Sequence, residues 1–108
     1  MGEIDWNRSA VEIERLIRGL SPWPSAYTHL DGKTLKLWVA EVMPGANKAM
    51  GVPGEVVHVT KQQLWVQTGE GMLAVKELQL EGKKRMMTDA FLRGYNVECG
   101  TKLGKKED

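Results

Sequence analysis

Ser21-Pro22-Trp23-Pro24-Ser25-Ala26-Tyr27-Thr28-His29-Leu30-Asp31-Gly32-Lys33, running into the alternating segment Thr34 to Val42, carries most of the information about the fold. Each proline locks its own φ and pushes the residue before it out of the α region, so a helix must stop ahead of Pro22 and leave as a stiff, extended approach to a strand. Asp31-Gly32 lies between two β-prone runs. A tight primed turn needs positive φ there, which glycine supplies without steric cost. The order read from this stretch is helix, rigid corner, hairpin.

Upstream, Ser9 to Leu20 reads as a helix. Ser9 and Glu12 form a capping-box pattern, and Ile13, Leu16, Ile17 and Leu20 recur on one face while Glu12, Glu14, Arg15 and Arg18 fall mostly on the other. Such a stripe packs against a sheet. Downstream, Ala26 to Leu30 and Lys33 to Met43 form a two-faced hairpin, with Leu35, Leu37 and Val39 on one side and Lys36, Trp38 and Ala40 on the other. Pro44 to Pro53, with Asn47 and Lys48, has no periodicity and reads as a loop, either for binding or as a tolerated insertion. Gly54 to Thr60, Gln63 to Thr68 and Met72 to Leu80 are three more short strands, joined tightly through Lys61-Gln62 and Gly69-Glu70-Gly71. In the last of them the apolar phase shifts between Val75 and Leu78, which predicts a bulge near Lys76-Glu77. A second helix starts at Thr88, with Asp89 favourable to its dipole and Ala90, Phe91 and Leu92 for burial. Residues 1–3 read as a linker remnant and 100–108 as a frayed tail. The expected architecture is a single mainly β domain over residues 1–108: a small OB-like Greek-key barrel with an N-terminal and a C-terminal helix.

With 108 residues and 42% hydrophobic content the chain supports one core. Lysine and arginine number 15 against 14 acids, so its total charge gives no strong pull toward nucleic acid or membrane. The distribution is less even. Between Lys83 and Lys106 stand Lys83, Lys84, Arg85, Arg93, Lys102, Lys105 and Lys106, against only Asp89 and Glu98. A polyanion would meet that quarter first. The lone Cys99 permits no internal disulfide, which fits a reducing cytoplasm, and no apolar run is long enough to span a bilayer as a helix.

No nucleophile, base and orienting group assemble from this sequence, so no catalytic residue is assigned; His29 and His58 read as surface or satisfied core histidines, and no metal-ligand spacing occurs. Gly69-Glu70-Gly71 lacks the strand-to-helix context of a phosphate loop. What remains is binding. Lys83-Lys84-Arg85, between the last long strand and the second helix, places three cations at one spot suited to phosphate contacts, the alternative being a solvated turn. Lys33, Lys36, Lys61 and Arg93 would widen that track, or serve solubility alone. Among the tryptophans, Trp6 reads as a staple ahead of the first helix and Trp23 as a plug beneath it, while Trp38 and Trp65 are the candidates for stacking on bases.

Several motifs in order extend the reading: Ile4-Asp5-Trp6, Pro22-Trp23-Pro24, Leu35-Lys36-Leu37-Trp38, Pro53-Gly54-Glu55-Val56, Val66-Gln67-Thr68-Gly69-Glu70-Gly71, and Leu78-Gln79-Leu80-Glu81-Gly82-Lys83-Lys84-Arg85-Met86. The chain resembles the C-terminal domain of the methionyl-tRNA formyltransferase family over most of its length. The resemblance implies an OB-like fold, a partner in initiator methionyl-tRNA, and an N-terminal catalytic domain of the same chain. That other domain would use 10-formyltetrahydrofolate and carry the catalytic asparagine, histidine and aspartate, while this one holds no cofactor. The resemblance also tips Lys83, Lys84 and Arg85 toward tRNA. Two rival readings are a structural C-terminal domain of another folate-dependent formyltransferase or hydrolase, and a free-standing OB-like module for single-stranded nucleic acid.

Overall fold

The computed structural model describes residues 2–21, 23–44 and 49–104, so Pro22, Asn47, Lys48, Lys105 and Lys106 lie outside the described residues. Helix α1 spans Ala10–Leu20 and opens on the expected capping box: the Ser9 hydroxyl accepts from the Glu12 N–H at 3.1 Å, and the Ser9 N–H donates to the Glu12 carboxylate at 3.2 Å. Ala10, Ile13 and Ile17 are its buried stripe. Strand β1, Ala26–Leu30, and strand β2, Lys33–Val42, form the expected hairpin, with Asp31 at φ 53° and Gly32 at φ 79°. Two consecutive positive φ values are the mark of a type I′ turn, whose second position glycine fills at no cost.

Four further strands follow: β3 Val56–Val59, β4 Leu64–Gln67, β5 Met72–Leu80 and β6 Met86–Met87, then helix α2 Thr88–Gly94. All strand pairs are antiparallel, in the order β1-β2-β5-β4-β3, and β6 joins β5. Strand β5 is central. β2 runs along one of its edges, while the other is shared between β4, opposite residues 72–74, and β6, opposite residues 77–78. The long connection from Val42 to Val56 carries the chain to the far edge, and β3, β4 and β5 then return beside β2 in Greek-key order.

The sheet does not close into the barrel expected from the sequence: β1 and β3 are the two ends of its hydrogen-bonded path. The C-terminal segment reaches between them. Val56 N–H donates to the Thr101 carbonyl, Leu103 N–H to Gly54, and Gly104 N–H to His29. Residues 100–104 are therefore a strap rather than a frayed end, because Leu103 supplies a buried apolar anchor within a polar tail. Residues 2–4 are likewise engaged, since the Gly2 carbonyl accepts from Tyr27 N–H and Ile4 N–H donates to the Tyr27 carbonyl.

The core lies between the sheet and α1 and takes in Leu35, Leu37, Val56, Val66, Leu73, Leu78, Leu80 and, from α2, Phe91. Trp6 belongs to it directly, donating its indole N–H to the Thr28 hydroxyl at 3.0 Å, so it packs on β1 instead of stapling the helix. Trp23 is 81% exposed and plugs nothing. The turn that joins α1 to β1 closes when the Ser25 N–H donates to the Leu20 carbonyl, leaving Trp23 at its tip. One loop fixes α1 against the sheet: Gly69 N–H donates to the Trp6 and Arg8 carbonyls, and Ala10 N–H donates to Glu70. A Cβ on Gly69 would stand 1.9 Å from the Asn7 carbonyl oxygen, so only glycine fits.

Candidate nucleic-acid interface

The pairing of β2 with β5 is interrupted twice. Leu37 faces Leu78, Val39 faces Glu77 and Ala40 faces Val75, so Trp38 is an extra residue on β2 and Lys76 an extra residue on β5. Each bulge turns two consecutive side chains outward, Trp38 with Val39 and Lys76 with Glu77, while Leu37, Ala40, Val75 and Leu78 stay buried. The bulge at Lys76-Glu77 was legible as a phase shift. Its counterpart reverses the expectation for Val39, which is 41% exposed, and for Ala40, which is buried.

The outward face of these bulges is organised by Gln79. Its side-chain oxygen accepts from the Trp38 indole N–H at 3.3 Å, and its amide donates to the Lys83 carbonyl at 3.1 Å. The turn it holds runs from Leu80 to Lys83, closed by Lys83 N–H on the Leu80 carbonyl, with Gly82 at φ 84° in its third position. Arg85 leaves that turn and lays its guanidinium over the Trp38 ring, 4.4 Å from the centroid, while its Nε donates to the Glu77 carboxylate. Lys83 and Lys84 are exposed and make no ion pair among the described residues.

Of the seven basic residues singled out from the sequence, five gather here. Glu81 ties the turn to the start of β2, where its carboxylate accepts from Thr34 N–H and its own N–H donates to the Thr34 carbonyl. That places Lys33 and Lys36 beside Lys83, Lys84 and Arg85, and Lys36 lines a shallow depression with Gln79, Glu81 and Gly82. Lys61 and Arg93 fall in a second group on the α2 side of β6. Lys61 sits on the β3–β4 turn, whose Gln62 shares a depression with Lys76, Met87 and Asp89, and Arg93 is paired with Asp89 at 3.6 Å.

The remaining candidates are structural in their contacts. His58 stacks on Trp65 with centroids 4.1 Å apart, and His29 meets Tyr27 edge-on, 3.8 Å from Glu3. Trp38 and Trp65 are both half-buried. Among the described residues two groups have displaced pKa values, neither at this face: the Ser9 N–H, helped by Arg8, lowers that of Glu12, and the hydrogen bond to Asp31, with some burial, raises that of Tyr95. No cluster of three or more histidine, cysteine, aspartate or glutamate residues among the described residues is placed to hold a metal. Beside Val11, Val42 and Pro53 lies a cavity of 630 Å³. Several polar side chains that line it are engaged within the protein: Ser9 caps α1, Gln67 holds the Met50 N–H and two carbonyls, and the Thr68 hydroxyl bonds the Glu70 and Gly71 carbonyls.

Residues 1–96 match the family described as formyl transferase, C-terminal domain. The chain belongs to that family. Among curated relatives, the methionyl-tRNA formyltransferase of Agathobacter rectalis is 57% identical over 101 residues, covering 94% of this chain and 32% of the relative. That of Lachnospira eligens is 50% identical, covering 96% and 34%. The chain thus spans about a third of the length of the curated relatives it matches. Among solved structures, HypX from Aquifex aeolicus in complex with tetrahydrofolic acid shares the fold at a TM-score of 0.65 and 19% identity, over 85% of this chain and 16% of that one.

In this formyl transferase C-terminal domain, Glu77, Gln79 and the bulge at Trp38 escaped the sequence reading. A carboxylate and an arginine eight residues apart, straddling a Gly-containing turn, were the available signal for the Glu77–Arg85 pair.

Proposed function

We propose that the chain is the tRNA-contacting, non-catalytic part of a methionyl-tRNA formyltransferase acting in translation initiation in the cytoplasm, and that Lys83 and Lys84 carry its contact with RNA phosphates. In the whole enzyme the formyl carbon would break its bond to the folate nitrogen of 10-formyltetrahydrofolate, which keeps the bonding pair and takes up a proton, and bond to the methionine α-amine on initiator tRNA, which gives one up. An N-terminal catalytic domain of the same protein would hold the folate and perform that step. The contribution of this chain is proximity: a fixed positive edge that turns an encounter with a polyanion into a positioned complex.

The observation that carries the reading is the pair of lysines that make no ion pair among the described residues, on a turn held by Gln79 and Glu81, in a chain 57% identical to a methionyl-tRNA formyltransferase. Lys33 and Lys36 extend the same edge. Arg85 is held by Glu77 and adds less free charge than its place in the basic run promises. Lys61 and Arg93, on the other side of β6, play a smaller part. The test is anisotropy of labelled initiator tRNA over a range of salt. Lys83→Ala/Lys84→Ala is expected to weaken binding and to lower the slope of log affinity against log salt by up to about two. An unchanged slope would reduce the cluster to a solvated turn and end the reading.

A further inference from the structure

Beyond the lysines, the outer face carries an arrangement that neither the core nor phosphate contact requires. Val39, Glu77 and Met87 lie in one cross-strand row over β2, β5 and β6, and Val39 and Met87 are 41% and 53% exposed. Trp38 faces outward by its alternation with Leu37, and the bulge turns Val39 outward beside it. Over Trp38 lies Arg85, anchored at one edge by Glu77 and backed by the indole, with 44% of its side chain still open to solvent.

A guanidinium fixed in this way is a flat, preorganised plate with one free face. RNA-binding surfaces stack unpaired bases on such planes and on aromatic rings, because every base has a π-face and an arginine adds a cation–π contribution. The surroundings favour RNA over an apolar partner: Lys83 and Lys84 adjoin the plate and make no ion pair among the described residues, and Gln79 bonds both the indole and the lysine-bearing turn, so plate and cations keep a constant separation. We infer that the Arg85–Trp38 pair takes one unpaired nucleobase of the bound RNA, rimmed by Val39 and Met87, with its neighbouring phosphates on Lys83 and Lys84. This rests on the RNA-binding reading above and adds a selectivity that phosphate contacts lack: the edge distinguishes RNA with a splayed base from RNA that is fully paired.

The test uses two probes at matched salt, an initiator tRNA transcript and a blunt, fully paired RNA duplex of similar charge. Trp38→Leu is expected to weaken tRNA binding on the order of 10-fold while leaving duplex binding and both salt slopes unchanged, and Trp38→Phe is expected to retain most of the tRNA affinity. Ultraviolet crosslinking of the wild-type chain to the tRNA, independent of how any variant folds, should place the adduct on the peptide containing Trp38 or that containing Arg85, at an unpaired nucleotide. A crosslink confined to other peptides, or a loss in Trp38→Leu that is equal for the two RNAs, overturns the plate, and the phosphate reading still stands if Lys83→Ala/Lys84→Ala flattens the salt slope. A wild-type dimer abolished by Trp38→Leu would assign the face to a second copy of the chain, again overturning it. Wild-type protein that binds neither RNA ends both.

Discussion

At the start of β5 the turn through Gly69, Glu70 and Gly71 gives its backbone to helix α1, whereas at the end of β5 the turn through Glu81 and Gly82 leaves the two lysines that follow facing solvent. Both are short, glycine-bearing and charged. The first takes the carbonyls of Trp6 and Arg8 and the N–H of Ala10, and the Thr68 hydroxyl closes it from within. The second is tied to β2 by its own Glu81 carboxylate, which accepts from Thr34 N–H, and to β5 by the Gln79 amide, while its lysines make no ion pair among the described residues. Turns of like composition thus divide into one that builds the fold and one that the fold holds out, and what separates them is whether their polar groups are already spent.

The largest break of this contrast should come from Gly69→Ala. Its Cβ would overlap the Asn7 carbonyl, so urea unfolding should show a loss of about 3 kcal/mol, with RNA affinity per folded molecule retained. A cost well under 1 kcal/mol would mean that α1 is not pinned there. Ser9→Ala removes the cap beside the same turn and should lower stability by about 1 kcal/mol in the same assay. Lys83→Ala/Lys84→Ala should change stability by less than about 0.5 kcal/mol while altering the salt dependence of RNA binding, the inverse of the first two variants. Comparable effects on folding from both turns would erase the distinction.

The smallest effect concerns acid. The Glu12 carboxyl is held below its usual 4.5, chiefly by the Ser9 N–H, with Arg8 adding to the effect. A lowered native pKa means that its contribution is complete above the ordinary carboxylate range and disappears as pH falls through the lower native value. The stability gap between wild type and Glu12→Gln, followed by thermal unfolding from neutral to acid pH, should therefore close on acidification. A gap constant with pH would show that the charge on Glu12 plays no part.

Local chemistry made much of this structure legible in advance. The capping box gave the start of α1, Asp31-Gly32 gave the hairpin turn with both positive φ values, and β1, β5 and the onset of α2 fall where alternation and helix-start residues put them. The parts that escaped depend on strangers in sequence. Val39 continues the alternation of Leu35 and Leu37, and only pairing with β5, some forty residues on, shows that Trp38 is an insertion in the ladder. Trp23 reads from the sequence as a plug beneath the first helix, but it lies in the turn closed by the Ser25 N–H on the Leu20 carbonyl and is exposed. In the candidate site the same rule holds: three adjacent cations are visible as a run, yet Glu77 and Trp38 set Arg85 apart from the two lysines.

The strap formed by residues 100–104 has a practical consequence for anyone choosing where this unit stops. The family match ends at residue 96, and a boundary drawn there would delete the segment bonded to Gly54, Val56 and His29. Val56 of β3 would then lose the partners of its amide and carbonyl, and β1 that of the His29 carbonyl, bare edge groups that invite edge-to-edge association between molecules. A shortened version that precipitates would thus report a missing cover rather than a faulty core, and any affinity tag belongs beyond residue 104.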